Sequence, residues 1–129
     1  MKFSSLLRTS LLLVSIQSVA ATTTLECTYS IYSDSEGVHE TRKPFTLTFI
    51  SDSNADKHYM LGNAGTEEVY KVRGARHVSF IETTASGNVT TTTITDALGS
   101  THSRSTVIAG DIVPSQYYGN CKRNRHFSE

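Results

Sequence analysis

The chain has no tryptophan, and its 129 residues include only two prolines and two cysteines. Two cysteines are too few for a disulfide-dense scaffold, in which bridges replace a core. Net charge is missing too, because twelve basic side chains balance twelve acidic ones. With 37% apolar residues and no net charge, the composition excludes an intrinsically disordered chain. Beyond Ile16 no stretch approaches the about 20 apolar residues that a membrane-spanning helix needs, so no transmembrane segment is expected. Helical periodicity is equally scarce, and apolar residues spaced three and four apart over several turns occur only before residue 20.

What the chain does have is hydroxyl, since serine and threonine together number 35. A threonine-rich, proline-poor composition suits strands. The first residues form a separate unit. Lys2 and Arg8 make a positive start, Leu11–Val14 and Ile16 a short apolar stretch, and Ser18-Val19-Ala20 a small-residue cleavage site. Residues 1–20 are therefore expected to be a signal peptide, with the protein exported to a periplasmic or extracellular compartment. A lipid anchor on Cys27 fits less well, because the small-residue site lies upstream of it. Without the signal, the chain carries a net charge of −2, unevenly spread. Residues 122–129 hold Lys122, Arg123 and Arg125 and read as a basic C-terminal tail, frayed after the last strand, while residues 21–121 carry seven basic and eleven acidic groups. A body near −4 excludes general binding of nucleic acid, which needs a basic face.

Short apolar and β-branched runs recur at intervals of roughly 8 to 12 residues, separated by Gly, Asn, Asp and Ser clusters, the spacing of an all-β domain. Eight runs stand out, at 25–32, 45–51, 57–61, 67–72, 77–84, 88–95, 101–108 and 113–121. Phe45, Leu47 and Phe49 alternate with threonines, and Val78 and Phe80 with Ser79 and Ile81, so each strand buries one face. Thr91 and Thr92 in the run Thr90–Thr93 are read as outward strand residues. Cys27 lies in the first run and ends up paired, as the only possibility, with Cys121 at the end of the last. A disulfide there requires the first and last strands to be neighbours. The expected fold is thus a small antiparallel meander of about eight strands in residues 21–121, forming a closed or nearly closed β-barrel, with a β-sandwich as the alternative. Tyr29, Phe45, Phe49, Phe80 and Tyr117 are available to fill its interior, leaving a shallow mouth rather than a deep cavity.

Chemistry is sparse. There is no Gly-x-Ser-x-Gly elbow and no cysteine left free by the bridge, so no enzyme activity is expected. The histidines at 39, 58, 77, 102 and 126 are all at least 19 residues apart and form no local metal motif. Asp52-Ser53-Asn54-Ala55-Asp56 starts like a calcium loop, but Lys57 stands where glycine is needed and Asn63 where an acid is needed. No metal and no cofactor are expected. Asn88-Val89-Thr90 is a glycosylation sequon if the host modifies exported proteins.

One polar group draws on three strands. Glu82 continues the inward face of Val78 and Phe80, His102 and Arg104 share a face two strands on, and Tyr117 precedes the last glycine and cysteine. A buried carboxylate needs a partner. The expectation is an ion pair between Glu82 and Arg104, with His102 and Tyr117 beside it at one barrel mouth, acting either as a structural cap or as a ligand site. The resulting functional reading is a monomeric, non-enzymatic binding module for a small ligand, a glycan or a protein. The alternative comes from a resemblance. An export signal, a single strand meander, one cysteine pair joining first to last strand, and a Ser86-Gly87 turn resemble the small periplasmic inhibitors of lysozyme, a likeness of architecture that implies a secreted hydrolase as partner.

Overall fold

The computed structural model describes residues 20–128, with side chains over 21–125. The expected signal peptide falls almost wholly outside the described residues. Nine strands follow in chain order: β1 (Ala20–Asp34), β2 (Gly37–Asp52), β3 (Lys57–Gly62), β4 (Gly65–Glu68), β5 (Tyr70–Arg73), β6 (His77–Thr83), β7 (Val89–Thr95), β8 (Gly99–Ile108) and β9 (Asp111–Ser128). All belong to one antiparallel sheet in the order β4-β3-β2-β1-β9-β8-β7-β6-β5. The edge strands β4 and β5 are consecutive in the chain, separated only by Val69. This single extended segment bonds to β3 with its first half and to β6 with its second, which brings the sheet's two edges together. The Val69 side chain is buried and its amide donates to the His58 carbonyl at 2.9 Å, fixing the switch. The result is a nearly closed barrel, and the sandwich alternative is set aside. The run expected at 67–72 is this switching segment, which explains nine strands where eight runs are legible.

Alternation decides what lies inside. Along β2, Leu47, Phe49 and Ser51 are buried and the residues between them are not, and along β7 the buried set is Thr90, Thr92 and Ile94. Thr92 is therefore an interior residue, contrary to its expected outward placement, because adjacent strand residues point to opposite faces. Phe49 stacks on Phe80 with ring centroids 4.5 Å apart, and Tyr29 stacks on Phe45 at 5.1 Å. These rings fill the interior, as the aromatic content predicts. Burial pushes the Tyr29 phenol up to about 12, softened by its 2.8 Å hydrogen bond with Ser100.

Cys27 and Cys121 face each other in register on β1 and β9 and are bonded. Pairing continues on both sides of them. The last strand, expected to stop at Cys121, runs on to Ser128 against Ala20–Glu26, so Lys122, Arg123 and Arg125 belong to a strand rather than a frayed end. The first hairpin is also longer than its apolar runs suggest. Asp34 Oδ1 accepts the Glu36 amide, Gly37 takes φ +129°, and the strands pair from Asp34–Gly37 onward. Only glycine adopts that backbone without strain.

Gly119 has a different reason to be glycine. It lies opposite Tyr29 across the β1–β9 pair, and a Cβ there would collide with the Thr28 carbonyl and the Tyr29 ring. Gly119→Ala is expected to cost about 1 to 3 kcal/mol, the range for overpacking a filled interior. Urea unfolding checks this, and a wild-type midpoint would mean that β1 and β9 are spaced more loosely than described.

Candidate functional site

Side-chain rows cross the strands and mark positions along the barrel. Nearest one end, Glu82 of β6, Thr90 of β7, Arg104 of β8 and Ser115 of β9 pair successively in register. The next row inward is Phe80, Thr92, His102 and Tyr117. All four residues expected at a mouth therefore fall on two adjacent rows at the same end. Glu82, His102 and Arg104 line a cavity of about 490 Å³ over Phe45, Leu47 and Met60, with the β3–β4 and β6–β7 turns as its rim. Tyr117 supports the wall: the Arg104 guanidinium stands 5.5 Å from its ring centroid, and its ring meets Phe45 edge-on at 4.8 Å.

The expected ion pair does not form. Glu82 and Arg104 lie two strand spacings apart, roughly 10 Å at the backbone, with Thr90 between them. Thr90 Oγ1 donates to Glu82 Oε2 at 3.0 Å, and Arg104 Nε donates to Ser115 Oγ at 3.3 Å. The neighbouring hydroxyls are closer than the opposite charge, so each head group is steadied by a neutral partner. Glu82 is half-buried and Arg104 exposed.

His102 sits beneath them, 5% exposed, with Nδ1 2.7 Å from Thr92 Oγ1. Among the described residues no buried side-chain nitrogen or oxygen lacks a partner, which leaves Nε2 on the cavity side. Burial, and then the charge of Arg104, push the imidazole down from 6.5 to about 4. The folded state thus resists a proton that the unfolded chain accepts. Stability is expected to fall as pH drops from 6.5 toward 4, by about 3 kcal/mol in all. His102→Asn should flatten that part of the curve, and chemical denaturation at several pH values checks it.

Several residues of the cavity escaped the sequence reading, Glu67, Thr106 and Asn88 among them. Glu67 reaches it from β4, and its inward placement follows from the alternation Glu67, Val69, Lys71 within a run read only as a strand. Thr106 extends the face of His102 and Arg104. Asn88, singled out only as a sequon, uses its amide within the fold: Nδ2 donates to Ser86 Oγ at 3.0 Å and Oδ1 accepts the Val107 amide at 3.2 Å.

The calcium-like loop is committed to its own turn, because Asp52 Oδ1 accepts the amides of Asn54 and Ala55 and Asp56 bonds His58. Among the described residues no group of three or more His, Cys, Asp or Glu side chains is arranged to hold a metal, and no helix is long and apolar enough to cross a membrane.

Comparison with protein families, curated proteins and solved structures finds no match to this chain. The functional reading therefore rests on the mouth itself.

Proposed function

We propose that this chain is an exported, non-enzymatic binding module whose mouth takes a saccharide unit of a glycan. One observation carries the reading: a guanidinium and a carboxylate face the same cavity without neutralising each other, above an apolar floor. Sugar hydroxyls both donate and accept, so they satisfy Arg104, which only donates, and Glu82, which when ionised only accepts. The apolar C–H face of a sugar ring suits Phe45, Leu47 and Met60. The absence of catalysis is supported by His102, whose Nδ1 is oriented by a threonine hydroxyl rather than by a carboxylate. Export is supported by the bonded Cys27 and Cys121, since such bridges persist in oxidising compartments.

The test uses Glu82→Gln, Arg104→Met and the double variant, with chitotriose and maltotriose as probes. Each single replacement is expected to change stability by less than about 1 kcal/mol, because the heads are held only by exposed or half-buried hydroxyl contacts. Coupling between the two should stay within about 0.5 kcal/mol. Calorimetric binding of at least one probe should be lost in every variant. A structural cap would give the reverse: large single losses, recovery in the double variant, and no saccharide bound by wild type.

The inhibitor reading keeps one observation in its favour. Ser86 and Gly87 form the tip of the β6–β7 turn, with Gly87 at φ +86°, and Ser86 stands on the rim of the same mouth. Slowed cell-wall lysis when the protein is added to a lysozyme assay, abolished by replacing Ser86, would favour it over saccharide binding.

A further inference from the structure

The opposite end of the barrel carries the reverse charge. The switching segment that sends Glu67 to the first mouth sends Lys71 and Arg73 to the other, paired in register with the inward Phe80 and Val78. From across the barrel come Arg123 and Arg125 of β9, in register with Leu25 and Thr23 of β1. Two hollows of about 310 and 460 Å³ share Thr23, Ser51, Lys71 and Arg73 and form one basin. The stacked Phe49 and Phe80 and the buried Ile94 separate it from the first mouth.

Four cations converge here, and the two carboxylates on the lining are already occupied. Asp96 accepts from Arg76 Nε at 3.2 Å, and Asp56 bonds His58 Nε2 at 3.2 Å. Among the described residues none of the four cations makes an ion pair with a carboxylate. Lys71 instead crosses the basin to donate to Ser51 Oγ at 3.3 Å, which aims its ammonium inward. Burial pushes that ammonium below its ordinary value, Arg73 and Arg123 add to this, and Asp56 on the lining offsets it only in part. Like charges held this close repel unless an anion lies among them. Four of the ten Lys and Arg side chains beyond residue 20 thus meet at one concave end.

We propose that this basin is a second binding site, independent of the saccharide mouth, that takes a doubly charged phosphoryl group. Arg73, Arg123 and Arg125 present planar forks suited to such oxygens, and Lys71 supplies a point charge behind them. The basin is a half-open hollow at the end of the barrel rather than a groove along it, so it suits a terminal charged group and gives a polymer backbone no track to follow.

The probe is inorganic phosphate, titrated against sodium chloride at equal ionic strength and followed by amide chemical shifts and melting temperature. Phosphate is expected to move Thr23, Ser51, Lys71 and Arg123 in a saturable way and to raise the melting temperature, with chloride doing neither. Arg123→Ser should weaken phosphate binding about tenfold, the cost of one charge-assisted contact. Its exposed head makes unfolding no explanation, and Lys43→Ser, at an exposed position of β2 outside the basin, should change nothing. A second arm uses vesicles containing phosphatidic acid. Phosphate binding without vesicle retention assigns the group to a free small molecule, and binding of both, each weakened by Arg123→Ser, assigns it to a lipid headgroup. Equal responses to phosphate and chloride, or vesicle retention that survives Arg123→Ser, would overturn the site.

Discussion

Phe80→Ala is expected to cost about 3 to 5 kcal/mol, the range for truncating a fully buried phenylalanine. Phe80 is 2% exposed at the middle of β6, and its ring lies 17° from parallel with that of Phe49. The two rings bridge the barrel between β2 and β6, so removing one leaves a void that the strands cannot close without breaking the pairs Lys71–Phe80 and Phe80–Thr92. For a domain of this size, whose whole stability is of order 5 to 15 kcal/mol, that loss brings the unfolding transition close to working temperature. Thr91 faces outward on the adjacent strand, and Thr91→Ala should change stability by less than about 0.5 kcal/mol. Thr92→Ala should lie between them, since it removes the partner of a buried imidazole. Urea midpoints for the three variants check the order. Equal losses at Phe80 and Thr91 would mean that the inward and outward faces are misassigned.

The second large effect is expected from the disulfide. Cys27 and Cys121 are 94 residues apart in sequence, so their bond closes nearly the whole folding unit. Joining positions this distant restricts the unfolded chain enough to stabilise the fold by about 4 to 5 kcal/mol on the chain-entropy estimate. Cys27→Ala should lower the melting temperature strongly yet leave the strand signal in circular dichroism at low temperature, because β1 still pairs with β2 and β9 through its backbone. Mass spectrometry of the natively produced protein should show one pair of hydrogens missing relative to the reduced chain. Two free thiols there would remove the covalent link between first and last strands from this account.

The barrel was legible because its two determinants are local or unique. Strand alternation at Phe45, Leu47, Phe49 and at Val78, Phe80 places the inward faces without any tertiary information, and two cysteines allow only one pairing. The switch at Val69 was not legible, since nothing in Glu67–Val72 distinguishes one strand from a segment that changes partner at a single valine. Residues 33–44 lack an apolar run, so the turn at Asp34-Ser35-Glu36-Gly37 can be read from its residue types while the strand pairing that flanks it cannot. The end of β9 was missed for a related reason: its pairing is sustained by β1 rather than by apolar residues of its own. At the site, register could be inferred well enough to bring Glu82, His102, Arg104 and Tyr117 together. The ion pair between Glu82 and Arg104 could not be judged, because facing the same interior does not tell how many strands intervene, and Thr90 intervenes. The basic basin escaped for the same reason. Lys71 and Arg73 stand about 50 residues from Arg123 and Arg125, and only barrel closure joins the two pairs.

An amide chemical-shift titration of the wild-type protein with chitotriose and maltotriose reads out binding at the Glu82–Arg104 mouth residue by residue. Saturable shifts are expected for at least one of the sugars, concentrated at Ser86, Thr90, Arg104 and Thr106, with Thr23, Ser51 and Lys71 at the far end unmoved. Shifts centred on the far end, or no saturable shift with either sugar, would contradict binding at this mouth.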